Sequence, residues 1–462
     1  MDNRIYSFLT SLKDKRIALI GIGRSNLPLI SLFKSYGAQV FACDRRNFDQ
    51  LGEYAQLAKD NGAQLCLGAN YLDDLDVDIV LRTPGMKYYL DKLVQMRNNG
   101  VVVTSEMELF FDLCPCKIIA ITGSDGKTTT TTIVSEILKK AGKTVHLGGN
   151  IGKPLLPDIE SIKPDDVAVV ELSSFQLISM RKSPDIAVVT NIEPNHLDVH
   201  KDMQEYIDSK KNVIAHQNAF SKAVLNADNK LSDSFSDDVR GELRKFSRTA
   251  EVSNGCYLDG DDIIYSEFSK KTKIMSTDDI KIPGMHNVEN FMTAICAVWG
   301  LVDVKTIVEV AKIFDGVAHR AEFVRELNGV KYYNDSIASS PTRTSSGTLS
   351  LYDEKIILIC GGYDKNLDYT DLGAKICDKV KELVLLGATA DKIETAVKSC
   401  VKFADCGINI HRVSSMQEAV KKSYELASNG DIVSMSPASA SFDMYKDFEA
   451  RGNHFKQLVN EL

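Results

Sequence analysis

No apolar run in this sequence comes near the ~18 residues needed to span a membrane. Met1 to Arg16 is mixed polar and lacks the apolar centre of a signal peptide. The ten cysteines show no metal-ligand spacing, and Cys114-Pro-Cys116 is the only close pair. That argues against a zinc module or a disulfide framework and for free thiols in a reducing compartment. There is no low-complexity tract and no short repeat. Positive charge is not in excess either: 55 Lys and Arg stand against 63 Asp and Glu, a net charge of −8. This balance speaks against non-specific binding to nucleic acid or to an acidic membrane. The expectation is a soluble cytoplasmic protein, with no membrane insertion and no nucleic-acid partner, whose anionic ligands meet local basic groups.

What is present is ample for a large core. The 462 residues suggest roughly three domains. An apolar content of 44% and a charged content of 26% are ordinary for a globular chain. The most telling stretch is Ile118 to Thr132, where an apolar strand runs into Gly123-Ser-Asp-Gly126, then Lys127, then a helix opening on threonines. Glycines let the backbone bend toward phosphate oxygens, and N–H groups at the helix start point at the anion. Lys127 supplies a point charge for the outer phosphates, and Thr128 offers a hydroxyl to Mg²⁺. The longer phosphate-loop pattern wants glycine at position 121, where Ile121 stands, so this is the shorter T-G-x-x-G-K-T form.

A second glycine loop comes earlier. The strand Arg16–Ile20 leads into Gly21-Ile-Gly23-Arg24-Ser25-Asn26, a helical pattern to Tyr36, and a strand over 39–43 that ends at Asp44. This is a βαβ nucleotide-binding opening, with an acid roughly 20 residues beyond Gly23. Asn26 replaces the third glycine of the dinucleotide fingerprint, which leaves a dinucleotide, another nucleotide-like ligand or a plain tight turn all open. A strand over 77–81 runs into Arg82-Thr83-Pro84-Gly85, a turn at a strand's carboxyl end, where ligands sit in open α/β sheets. A linker is expected over roughly 104–116 and a further boundary near Gly316. Continuous apolar runs over 167–172, 186–191 and 223–226 predict buried parallel strands. Strands over 356–360, 383–386 and 432–435, alternating with helical patterns, predict a third α/β unit.

Several strand ends deliver polar groups. Glu171 follows the run 167–170, and His196 follows the next strand, on the same rim as Lys127. A carboxylate there suits a hard cation. Lys210 lies on a helical stretch, where spacing alone indicates a solvated lysine. In the third unit come Arg320, a candidate cation for transferred phosphate, then Asp335, Lys365 and the run Ser436 to Phe442. Such an array suits an acid activated as a phosphate and attacked by an incoming nucleophile, with closure excluding water.

The ordered set T-G-S-D-G-K-T, G-G-N-I-G (Gly148 to Gly152), E-L-S-S-F-Q, N-x-x-x-x-H-x-D (Asn191 to Asp198), H-N-x-x-N (His286 to Asn290), H-R, N-D-S and the S-P-A-S-A-S-F-D-x-Y-K-D-F-E-x-R-G ending (Ser436 to Gly452) resembles the Mur ligase family of peptidoglycan synthesis along the whole chain. The resemblance implies three α/β domains: a Rossmann-like UDP-binding domain over 1–107, a central P-loop-type ATPase domain with a mainly parallel sheet over 108–316, and a Rossmann-like amino-acid-binding domain over 317–462. It implies a monomer that uses ATP to add D-glutamate to UDP-N-acetylmuramoyl-L-alanine through an acyl-phosphate. ATP would be held by Gly123, Ser124, Asp125, Gly126, Lys127, Thr128 and Thr129, with Asn290, Arg320 and Asp335. The UDP-sugar would meet Gly23, Arg24, Ser25, Asn26, Asp44 and Arg45, then Thr83, Pro84 and Gly85, and on the central domain Asn150, Ser173, Gln176 and His196. D-Glutamate would meet Ser339, Lys365, Ser441, Phe442 and Phe448. Two Mg²⁺ ions would use Thr128, Glu171, His196 and Lys210, the last carrying a CO₂-derived carbamate. The groups implied in catalysis are Lys127, Glu171, His196, Lys210, Arg320 and Asp335.

The chain departs from the family at three places. Ile337 follows N-D-S where many relatives have lysine, Asp447 stands where asparagine is common, and Asp125 puts a negative charge inside the phosphate loop. A folate-polyglutamate synthase would share the central loop but not the amino-terminal UDP domain. A nicotinamide oxidoreductase using Gly21 to Asn26 would leave Gly123 to Thr128 and Glu171 unexplained, and a non-catalytic nucleotide sensor would release no phosphate in response to UDP-sugar and D-glutamate.

Overall fold

The computed structural model describes residues 2–73, 75–194 and 199–462, so His196 lies outside the described residues. The chain forms two compact units, Met1–Phe314 and Asp315–Leu462.

The first unit holds two sheets. One has five parallel strands, Arg16–Ile20, Gln39–Asp44, Gln64–Leu67, Ile79–Arg82 and Val102–Thr104. Their spatial order is third, second, first, fourth, fifth. The order reverses beside the first strand, and the turns after the first and fourth strands therefore share one edge. The other sheet has nine strands. Its parallel part includes Val145–Gly149, Val167–Glu171, Lys117–Thr122, Ile186–Val189 and Lys222–Asn226, neighbours in that order. Beyond them the sheet continues through Glu242–Ser247 and Asn254–Asp259 into an antiparallel ribbon, Asp262–Glu267 and Lys270–Ser276.

The expected linker over 104–116 contains a helix, Glu106–Leu113. Ser105 caps it by accepting from the Glu108 N–H at 3.3 Å. Met107, Phe110, Phe111 and Leu113 are buried on it and join one apolar cluster with Leu19 of the first sheet and Val170 of the second. Burying each phenylalanine is worth roughly 1.5–3 kcal/mol, which locks the segment into the core.

The second unit has a six-stranded sheet. Parallel strands Asn409–Arg412, Val380–Leu385, Ile356–Cys360, Ile432–Met435 and Val330–Asn334 lie in that order, and Glu322–Leu327 pairs antiparallel at the edge. Glu322–Leu327 and Val330–Asn334 thus form a hairpin at the sheet edge.

Candidate active site

The central loop sits where three neighbouring strands end. Lys117–Thr122 delivers the glycines, Val167–Glu171 delivers the acid, and Ile186–Val189 leads to Thr190 and Asn191. Gly126 has φ +76° and is the N-cap of the helix Lys127–Lys140, which no side chain caps. A Cβ on Gly126 would lie 2.5 Å from Asn290 Oδ1, so glycine permits the close approach of the helix Met285–Val298. Asn290 Oδ1 also accepts from the Thr130 hydroxyl at 3.2 Å. Two loop amides are engaged by the asparagine of the N-x-x-x-x-H-x-D motif, to which the motif assigns no role: Asn191 Oδ1 accepts from Ser124 N at 3.2 Å and Asp125 N at 2.9 Å. The Lys127 ammonium donates to the Ser124 carbonyl at 2.8 Å. Asp125 is exposed, while its backbone is held on both sides, the carbonyl accepting from the Thr190 hydroxyl.

Glu171 is 1% exposed. Its carboxylate accepts from the Thr128 hydroxyl at 2.8 Å and from Asn150 Nδ2 at 2.7 Å. Lys210 is 2% exposed on the helix Met203–Ala215, not solvated as spacing alone indicated. It donates to the Gly123 carbonyl at 2.7 Å and lies 4.7 Å from the Tyr206 ring centre. Burial first, and then the Lys127 cation, push the Lys210 amine well below the usual lysine range. Tyr206, one helical turn earlier, bonds the Ser124 hydroxyl at 2.8 Å. Oxygen donors on Thr128 and Glu171 fit a hard cation such as Mg²⁺. Ser173 and Gln176 form a reciprocal cap that starts the short helix Ser174–Leu177, so both are tied to local structure.

In the first sheet, Gly21 has φ +89°, and a Cβ there would lie 2.8 Å from Thr83 Cγ2. The two turns therefore touch. Asp44 is buried and accepts from Ile22 N at 2.9 Å and from Arg46 N, Nε and Nη2 at 2.8–3.0 Å. Burial alone would raise its pKa, but the Arg46 and backbone donors outweigh it and hold the carboxyl below its usual range. Arg46 was missed in the sequence, and Arg45 beside it is exposed. Asn26 Nδ2 holds the Ile20 carbonyl at 2.9 Å, and its buried Oδ1 has no protein partner. Gly23 and Ser25 are half-buried, Arg24 is exposed, and Thr83, Pro84 and Gly85 run along the rim. Between this turn and the helix Met203–Ala215 runs a groove of about 1050 Å³, lined among the described residues by Tyr88, Tyr89, Phe175, Arg181, His200 and Asn212.

In the second unit, Asp335 ends the strand Val330–Asn334 and accepts from the Thr348 hydroxyl, the Ser436 hydroxyl at 3.1 Å and Ala321 N at 3.2 Å. Burial raises its pKa despite these donors and Arg320. Arg320 lies between His319 (φ +64°) and Ala321 (φ +41°), and its Nε is buried without a protein partner. Residues in this region of backbone space are strained and need support. His319 receives that support from Asn334, 3.0 Å from its Nδ1, and from the Phe448 ring. Arg451, part of the motif at the chain's end but given no role there, is buried and donates to Ser336 O and to the carbonyls of Ser439 and Ala440. It thereby joins the turn leading to Ser339 to the run ending at Ser441 and Phe442. Tyr363 N bonds the Ala440 carbonyl, and its ring meets Phe442, which brings the turn holding exposed Lys365 alongside. Asp447 caps the last helix through Ala450 N, a task asparagine performs equally well.

A phosphate loop backed by a buried acid and a buried lysine defines a nucleotide-triphosphate enzyme. The comparisons give the family. A model of the Mur ligase middle domain matches residues 121–298, and one of the Mur ligase glutamate ligase domain matches 319–439. A UDP-N-acetylmuramoylalanine–D-glutamate ligase of Acetivibrio thermocellus is 49% identical over 465 residues, covering 100% of both chains. One of Clostridium botulinum is 50% identical over 449 residues, covering 97% of each. The chain belongs to the Mur ligase family, which is ATP-dependent and generally needs Mg²⁺. Among solved structures, the UDP-N-acetylmuramate-alanine ligase of Thermotoga maritima shares the fold at 18% identity and a TM-score of 0.58, covering 97% of this chain and 99% of that one.

Proposed function

We propose that this protein joins D-glutamate to UDP-N-acetylmuramoyl-L-alanine at the expense of ATP, in peptidoglycan precursor synthesis. The names of the full-length relatives support this reading. The observation that carries the chemistry is the cluster of Lys127, Thr128, Glu171 and Lys210 at adjacent strand ends.

In this reading residues 1–107 bind the UDP-sugar, 108–316 bind ATP and 317–462 bind D-glutamate. The L-alanine carboxylate attacks the γ-phosphorus, the bond to ADP breaks, and an acyl-phosphate forms. The D-glutamate amine adds to the acyl carbon, and the C–O bond to phosphate then breaks. Lys127 holds the outer phosphates, and Arg320 offers its guanidinium to the nucleotide. Asn290 and Asp335 complete the nucleotide contacts. Lys365, Ser339, Ser441, Phe442 and Phe448 receive the amino acid. Thr128, Glu171 and His196 are the residues for Mg²⁺, which when bound supplies positive charge for the phosphate oxygens. The downward shift of Lys210 favours the neutral amine, the form that would add CO₂, losing one proton as the N–C bond forms. The resulting carbamate is a further oxygen ligand for the second ion. The reading includes a cytoplasmic monomer; no helix among the described residues is long and apolar enough to cross a membrane.

The test is phosphate release by the purified protein with ATP, Mg²⁺, the UDP-sugar and a panel of amino acids, with the product weighed by mass spectrometry. Release that needs both the UDP-sugar and D-glutamate, with an amide of the expected mass, is the expected result. Turnover with another amino acid, or ATP hydrolysis without an amide, overturns the reading.

A further inference from the structure

Glu106 has no role in the reaction above, yet it is one of the more unusual groups in the first unit. It opens the helix Glu106–Leu113 and is buried, and among the described residues no lysine or arginine forms an ion pair with it. One oxygen, Oε1, accepts from the backbone N–H groups of both Leu155 and Leu156, each at 2.9 Å. Those amides begin the 3-10 helix Leu156–Ser161, which has no cap of its own and carries proline in its first turn. A side chain 49 residues earlier therefore satisfies the helix start.

The loop before this helix is closed on itself. Gly148 bridges to Lys153. Asn150 hangs on Glu171 by two bonds, its N–H to the Glu171 carbonyl at 2.8 Å and its Nδ2 to Oε1 at 2.7 Å. Glu171 Oε2 takes the Thr128 hydroxyl. The loop thus has two anchors, Glu171 at one end and Glu106 at the other. An apolar side chain in place of Glu106 would leave two buried amides unpaired, and the cheapest relief is for the loop to move.

We infer that Glu106 is a positioning residue: by gripping Leu155 and Leu156 it fixes the loop 148–156, so that Asn150 keeps the Glu171 carboxylate turned toward Thr128. This rests on the reading of Glu171 as the carboxylate of the triphosphate site. Glu106 touches no substrate; it acts through Asn150.

The test compares Glu106→Ala, Glu106→Gln, Asn150→Ala and the double variant E106A/N150A, reading KM for Mg·ATP, kcat and thermal midpoint. Glu106→Asp, whose carboxylate is one methylene short, replaces the alanine variant if that one does not fold. E106A should raise KM for Mg·ATP about tenfold, and E106Q, which keeps Oε1, should stay within about twofold of the parent. In the Asn150→Ala background E106A should add less than about twofold. An E106A that lowers the thermal midpoint but leaves KM unchanged, or whose full factor persists without Asn150, overturns the inference. Equilibrium binding of a non-hydrolysable ATP analogue reads the same variants independently of turnover. A failure of the proposed amide synthesis would therefore be seen separately from a failure of Glu106.

Discussion

The two glycine loops of the first unit share a topology and differ in electrostatics. Gly21 to Asn26 and Gly123 to Lys127 each follow a buried strand of a parallel sheet, and each is closed by the end of a neighbouring strand. Beside the first, the group supplied is an ionised acid: Asp44 is held below its usual range by Arg46 and backbone donors despite burial. Beside the second lies a buried amine, Lys210, pushed far down by burial and by Lys127. On the separate helix Glu106–Leu113, burial pushes the Glu106 carboxyl up to about 7. A glycine turn makes room for a ligand, but the neighbouring strand ends decide which charge waits there.

Removing charge from each loop separates them. Lys127→Ala should lower kcat by about 1,000-fold or more. By titration calorimetry it should leave binding of the UDP-sugar to the first sheet unchanged; a weakened UDP-sugar would mean the loops are not independent. Lys210→Ala should lose about 100-fold and regain part of that with added short carboxylates. Full activity of the untreated variant would refute the carbamate. Asp44→Ala should cost about 1–3 kcal/mol in urea unfolding at pH 7 by leaving the Ile22 amide and Arg46 unpaired. Because the folded carboxyl titrates below its unfolded value, that contribution is present above about pH 4 and disappears as pH falls through the folded pKa. Glu106→Gln should show the opposite pH trend. The folded carboxyl titrates near 7 and the unfolded one near 4.5, so the folded state holds the extra proton between them and wild-type stability falls as pH rises across that window. The variant's thermal midpoint should match the parent near pH 4.5 and exceed it above pH 7, by up to roughly 3 kcal/mol in free energy.

The sequence displayed the strands that carry the chemistry because their apolar runs are unbroken, as at Lys117–Thr122 and Ile432–Met435. The helix Glu106–Leu113 was hidden as a linker because it is barely two turns long and ends against Cys114-Pro115, so its pattern had too few repeats to register. Lys127, Thr128, Glu171 and Asn290 came together as expected. Arg46 went unnoticed, and Asn191 and Arg451 stood in motifs without a role, because their roles lie in contacts made across the fold, as Asn191 reaches a loop 66 residues away. Tyr206 had a visible signal: it precedes Lys210 by one turn, on the same helical face.

The Asn191 side chain has a kinetic consequence. A loop whose amides already bond an oxygen needs no folding before it meets a triphosphate; its donors exchange one acceptor for another. Little ordering entropy then remains to be lost on encounter. Nucleotide should arrive at a rate set by collision and orientation, and selectivity among nucleotides should reside in how slowly the right one departs.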